Sequence, residues 1–126
     1  EIITSDWSSD VCSSDLEIQP IRVMHAKLPI LGYRIGKMAY LTDVKTLTPE
    51  SLAKLQNLEL LLLNALRPEP HFSHLNLREA IALARQIGAR RTFFIHMSHD
   101  MGLHRCVDAE LPEGMHLAYD GLELEL

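Results

Sequence analysis

The chain has 126 residues, 47% hydrophobic and 23% charged, with a formal net charge of −5. That size and mix suit one globular domain, and the acidic balance argues against nucleic acid as a bulk electrostatic partner. No apolar run approaches the length of a membrane span, and two cysteines, Cys12 and Cys106, make neither a disulfide framework nor a metal-ligand spacing.

Residues 1–16 are Ser/Asp-rich and follow no structural period. The string from Asp6 through Trp7 and Cys12 to Leu16 resembles one reading frame of a short-read sequencing adapter. The segment is therefore expected to be foreign and disordered, and is set aside from fold reasoning. Residues 17–126 are then expected to start within a longer protein.

From Glu17 the chain alternates strand and helix patterns. Ile18, Ile21 and Val23 mark a strand, expected to break or bulge near Pro20, that ends at His25. Gly32 to Ile35 and Lys37 to Leu41 read as two strands around a turn at Gly36. Thr48 and Pro49 have the chemistry of a helix start. Leu58 to Leu63, apolar except at Glu59, suits a strand covered on both faces. A long loop follows, from Asn64 to Ser73. Asn76 and Glu79 have capping-box spacing, Leu77, Ala80, Ile81, Ala84 and Ile87 keep helical period, and Gly88 stands where a C-terminal glycine belongs. Thr92 to Ile95 predicts a buried strand. A short helix is expected within Leu103 to Glu110, then a hairpin of Met115 to Tyr119 and Leu122 to Leu126 around Asp120-Gly121. The fold class is α/β, with layered α+β as the variant.

Three of these strands run out into a potential metal ligand: His25 after Met24, Asp43 after Thr42, and His96 after Ile95. In one sheet the three side chains could converge at one edge. Neutral imidazoles suit zinc, iron and manganese, and a carboxylate can bridge two cations. Two cations roughly 3.5–4 Å apart can activate a water and clamp a phosphoryl or acyl oxygen. The plain alternatives are a structural histidine at a strand end and an aspartate that caps a turn. His74 by itself reads as a loop histidine.

Five stretches in order carry a family resemblance: Val23-Met24-His25-Ala26-Lys27-Leu28 with Gly32-Tyr33; Tyr40-Leu41-Thr42-Asp43; Ser73-His74-Leu75-Asn76-Leu77; Ile95-His96-Met97-Ser98-His99; and Tyr119-Asp120-Gly121. Together they resemble the C-terminal half of metallo-β-lactamase-fold hydrolases. They are most similar to the branch with the phosphonate-pathway cyclic phosphodiesterase, and more distantly to the tRNA 3′-processing endonuclease. The resemblance implies half of an αββα sandwich from a cytoplasmic metal-dependent hydrolase. Its parent would use two divalent ions, zinc or manganese, and a metal-bound hydroxide to cleave a small-molecule phosphodiester. It implies His25, Asp43 and His96 as metal ligands, with Asp43 bridging the two ions, and His74 as the acid for the leaving oxygen. His99 would bind substrate phosphate or support the ligands. His71, His104 and His116 remain surface or turn residues. Asn64 stands where relatives often carry an acid, which leaves an acidic role there open.

The His-x-His-x-Asp-His motif of that family is absent from all 126 residues. Three ligands split between two sites predict weak or no tight metal binding, and no catalysis, by this chain alone. Half a sandwich also predicts an apolar sheet face left open to self-association, a homodimer among its forms. Thioester or lactone hydrolysis on the same scaffold, and a metal-free α/β binding module, are the alternative functions.

Overall fold

The computed structural model describes residues 17–126. The segment 1–16, including Cys12, lies outside the described residues. Six strands form one mixed sheet in chain order: β1 (Ile18–His25), β2 (Leu28–Ile35), β3 (Met38–Leu41), β4 (Leu60–Asn64), β5 (Arg91–Ile95) and β6 (Met115–Leu117). The first three pair antiparallel, and the last three add in parallel.

Two tight turns make the antiparallel part. The register runs without interruption from Ile18↔Ile35 to His25↔Leu28, so the bulge expected near Pro20 is absent. Among the described residues β1 has one neighbour, and a proline on such an edge can turn its missing donor away from the ladder. The connecting turn, Ala26-Lys27, was not predicted. It lacks the usual glycine or asparagine, yet Ala26 holds φ 55. As a result β2 begins at Leu28, four residues before the predicted start. The second turn follows the sequence reading, with Gly36 at φ 58 between Ile35 and its partner Met38.

Parallel neighbours need crossover connections, and three helices lie within them: α1 (Pro49–Ala53), α2 (Leu77–Ile87) and α3 (His104–Ala109). Thr48 caps α1 by accepting from the Ser51 N–H, with Pro49 in the first turn. The Ser51 hydroxyl then donates to the Arg22 carbonyl at 2.6 Å, which pins α1 to β1. α2 has the full capping box of Asn76 and Glu79, and ends at Gly88 with φ 76. Its Ala80, Ala84 and Ile87 join the core cluster.

The core lies on one sheet face, where Ile21, Val23, Ala39, Leu41, Leu61, Leu63 and Phe94 are buried beneath the helices. Each large side chain there contributes on the order of 1.5–3 kcal/mol relative to exposure. The opposite face is apolar too. Tyr33, Tyr40, Leu62 and Phe93 stand in one cross-strand row. Phe93 and Leu60 on that face are buried, whereas Tyr40 and Leu31 are exposed. On this sheet face the apolar exposure expected from the sequence is found on β2 and β3, at Leu31 and Tyr40. β4 is covered on both faces as expected, except that Leu62 is only partly buried.

The final hairpin does not form. Asp120 and Gly121 make a turn, closed by Leu122 N–H donating to the Tyr119 carbonyl at 3.1 Å, but no strand follows over 122–126. β6 is only three residues long, and a turn signal cannot supply a partner edge of that length. Among the described residues no helix is long and apolar enough to cross a membrane.

Gly32 sits opposite Ile21 on the core face. A Cβ there would meet the Leu41 side chain at 2.5 Å and the Tyr40 carbonyl oxygen at 3.0 Å. Gly32→Ala is expected to lower unfolding free energy by about 1–3 kcal/mol through overpacking; urea unfolding with an unchanged midpoint would count against this packing.

Candidate metal and catalytic centre

β1, β3, β4, β5 and β6 all run in one direction, so their C-terminal ends share one edge of the sheet. His25 is the last residue of β1, Asp43 follows β3 by two residues, and His96 directly follows β5. The loop after β4 brings in His74. The predicted convergence of His25, Asp43 and His96 at one edge is present, and His74 joins it.

Asp43 is the focus. His74 Nε2 donates to Asp43 Oδ1 at 3.0 Å, and His96 Nε2 reaches the same oxygen at 3.2 Å. The two imidazoles are stacked, with centroids 5.0 Å apart and planes at 17°. His25 packs edge-on against His74, with centroids 4.8 Å apart. Its Nδ1 lies 3.0 Å from the Asp43 main-chain oxygen. A carbonyl only accepts, so that nitrogen carries the proton and Nε2 keeps its lone pair in the neutral ring. A hydrogen bond of this kind orients metal-ligating histidines.

Asp43 and His96 hold φ 61 and φ 62. Left-handed backbone is uncommon outside glycine, though aspartate and histidine are enriched there. A surrounding frame must hold such residues in place. Part of it is a bridge between Met24 and Thr46: Met24 N–H donates to Thr46 O at 3.0 Å, and Lys45 N–H to Met24 O at 2.7 Å. Ser98 N–H donates to Leu66 O at 2.9 Å, which ties the chain after His96 to the long loop.

The donor set fits a divalent transition ion. His25, Asp43 and His74 offer ligand atoms all within 4.8 Å of one another, and His96 shares an Asp43 oxygen. Imidazole nitrogen and carboxylate oxygen are the donors such ions take. His74, read from sequence as a non-ligand acid, thus also stands in ligand position.

The family model for the beta-lactamase superfamily domain matches residues 1–97. The chain belongs to this superfamily. Its fold is part of a metallo-β-lactamase fold. A crystal structure of a diphosphatase from the PhnP family superimposes with a TM-score of 0.85 at 40% identity, over 88% of this chain and 44% of that one. The metallo-β-lactamase fold protein YhfI from Bacillus subtilis gives 0.67 at 20% identity, over 85% of this chain and 48% of its own. Human tRNase Z, short form, gives 0.67 at 18% over 85% and 40%; these two show the fold alone. A Porphyromonas gingivalis protein named octanoyltransferase is 44% identical over 111 residues, which are 87% of this chain and 23% of that protein. The chain thus spans under half of these relatives' length.

Two other residues of this superfamily member, given no role at the site from the sequence, support it. Ser73 is buried, and its Oγ lies between His74 Nδ1 at 3.2 Å and His71 Nδ1 at 3.3 Å. His71, read as a surface residue, packs against His74 with centroids 5.1 Å apart. Its Nδ1 accepts from the Ser73 N–H at 3.2 Å, so it is unprotonated there. Desolvation first, then the nearby Arg67 and Lys45 cations and the neighbouring His74 and His25 rings, lower the pKa of His71 from its ordinary value. His99 is not gathered with these residues: its side chain is 93% exposed and contacts Asp100 at 3.3 Å. His104 bonds the Leu117 carbonyl, and His116 lies near Asp108, away from the cluster.

Lys45 fixes the loop that carries His74. Its Nζ donates to the His71 carbonyl at 2.8 Å and to Glu79 Oε1 at 3.2 Å. Burial pushes the Glu79 carboxyl up, but the Asn76 N–H and the Lys45 ammonium outweigh it and leave the group below its ordinary value. A lowered folded value means stability that is present above the unfolded value and lost as pH falls through the folded one. The Glu79 side chain is 42% exposed, so solvent screens the pair. Lys45→Met is therefore expected to cost about 1 kcal/mol near neutral pH. It should also flatten the loss of stability on acidification, as read by thermal unfolding from about pH 6 to about pH 3. An acid limb as steep as the parent's would show that Lys45 does not hold Glu79.

Proposed function

We propose that this chain is the C-terminal part of a binuclear metal-dependent hydrolase that cleaves phosphodiester-type bonds in a small molecule, in the cytoplasm. The observation that carries the reading is the convergence of three histidines on Asp43, His74 and His96 at its carboxylate and His25 at its main-chain oxygen, in a chain 40% identical to part of a diphosphatase. The diphosphate linkage of that neighbour's named activity is the nearest precedent for the substrate.

When bound, divalent ions supply an activated water and neutralise charge on the phosphoryl oxygens. The chain's own part is orientation and proton transfer. His25, Asp43 and His96 would hold the ions, with the His25 ring oriented by its Nδ1 bond to the Asp43 main-chain oxygen. His74 keeps its transferable proton at Nε2, on the Asp43 side, while Nδ1 faces the Ser73 hydroxyl. An oxygen leaving at this edge would take that proton. His99, exposed beyond His96, would meet substrate phosphate.

The name of the Porphyromonas relative favours a second reading, acyl chemistry such as thioester or lactone hydrolysis. The chain spans 23% of that protein, so the diphosphatase likeness weighs more. Both readings share one test. Residues 17–126, fused to the N-terminal half of a related hydrolase, should bind two equivalents of zinc or manganese and hydrolyse bis(p-nitrophenyl) phosphate. His25→Ala, Asp43→Ala and His96→Ala should each remove metal and activity, and His74→Ala should lower kcat by about 100-fold or more with metal retained. Hydrolysis of p-nitrophenyl octanoate instead would move the assignment to acyl chemistry. A folded fusion that binds no metal would make the chain a binding module.

A further inference from the structure

Asn64 ends β4 and is fully buried. Its side chain does not face an imidazole. Instead its Oδ1 accepts from the Val44 N–H at 2.9 Å, and its Nδ2 donates to the Val44 carbonyl at 3.0 Å. One amide thereby grips both polar groups of one residue, as a neighbouring strand would. Val44 is itself fully buried, so neither group has water as a substitute.

Val44 stands between two parts of the site. It directly follows Asp43, whose backbone is held at φ 61. Its carbonyl also accepts from the Leu75 N–H at 3.0 Å, and Leu75 directly follows His74. On the other side of β4, Asn64 pairs with Ile95, the residue before His96. The neighbouring amide, Ala65 N–H, donates to the Ile95 carbonyl at 3.0 Å. Asn64 thus bonds the residue after Asp43, pairs with the residue before His96, and meets the residue after His74 through the Val44 carbonyl.

From this we infer that Asn64 is a positioning residue: through the Val44 peptide it holds Asp43 and His74 in the geometry in which His74 meets the carboxylate. The amide is required chemically. A group that both donates and accepts in this spacing satisfies the Val44 N–H and adds a second donor to the carbonyl that Leu75 N–H also reaches. A carboxylate in its place keeps the acceptor but loses the donor, and sets a negative oxygen against the Val44 carbonyl. Asparagine at this strand end is therefore a structural clamp rather than a replaced acid. The inference rests on the proposed function only in taking Asp43 and His74 as the reacting centre; the clamp itself is tested without hydrolysis.

The test is amide hydrogen exchange by NMR on the 126-residue chain, together with the carboxyl carbon signal of Asp43 and the ring nitrogen signals of His74. In the wild type, the Val44 amide should exchange as slowly as those of β4 and β5, because its partner is a buried side chain. Asn64→Asp and the smaller, uncharged Asn64→Ser should speed exchange at Val44 and Leu75 at least tenfold relative to the β1–β2 hairpin. They should also shift the Asp43 and His74 signals at constant pH. Fast exchange at Val44 in the wild type overturns the clamp with no variant needed. So does a variant in which protection falls equally throughout, or in which the Asp43 and His74 signals stay in place. A fusion that proves inactive would remove the proposed hydrolase and leave these exchange results standing.

Discussion

Strand direction is the constraint on which the site depends. An antiparallel hairpin returns the chain, so β1 and β3 point the same way with β2 between them. The crossovers then keep β4, β5 and β6 in that direction. Groups placed at or just past the ends of β1, β3 and β5 therefore meet at one edge. Rigid elements hold functional groups more closely than loops do, and three of the four clustered residues lie within two positions of a strand end. The fourth, His74, comes from a loop. That loop is fastened at several points: to Lys45, to Val44 through Leu75, and back on itself where Leu66 N–H donates to the Leu75 carbonyl at 3.0 Å.

The same edge stores strain. Two of the four non-glycine residues with positive φ among the described residues are Asp43 and His96. Each leaves its strand by turning sharply, which aims the side chain along the sheet edge. Left-handed backbone at such residues costs on the order of 1–3 kcal/mol. It persists because the flanking peptides are tied into the Met24–Thr46 bridge and the Leu66–Ser98 contact. Asparagine or glycine would relax the strain at position 43, but neither offers a carboxylate to the two imidazoles.

Much of this was legible in the sequence where a local signal has one meaning. The Asn76–Glu79 capping box, Gly88 at the end of α2, Thr48 before Pro49, and the β-branched and aromatic run before His96 all form what their chemistry implies. The Ala26-Lys27 turn was hidden because the residues there are atypical for a hairpin, and the register of eight pairs enforces it instead. The Asp120-Gly121 pair misled in the opposite direction, since a turn makes a hairpin only when both arms have partners. Asp43 and His96 could be singled out because each is a polar residue just past an apolar strand. Ser73, Lys45 and the grip of Asn64 could not. Each acts across 20 or more residues on a backbone group or on a ring, or sits beside a histidine whose role was itself hidden, and nothing in spacing records such contacts.

The contacts of Asp43 also decide how the site responds to damage. His25 is bonded to its main chain, while His74 and His96 share one oxygen of its side chain. The three histidines therefore do not respond independently. A displacement of this one residue loosens all of them, and the loss of any one ring alters the charge and position that the others meet. Energies assigned to them one at a time would count the same anchorage more than once. The centre is best regarded as a single cooperative unit, in which the second loss costs less than the first.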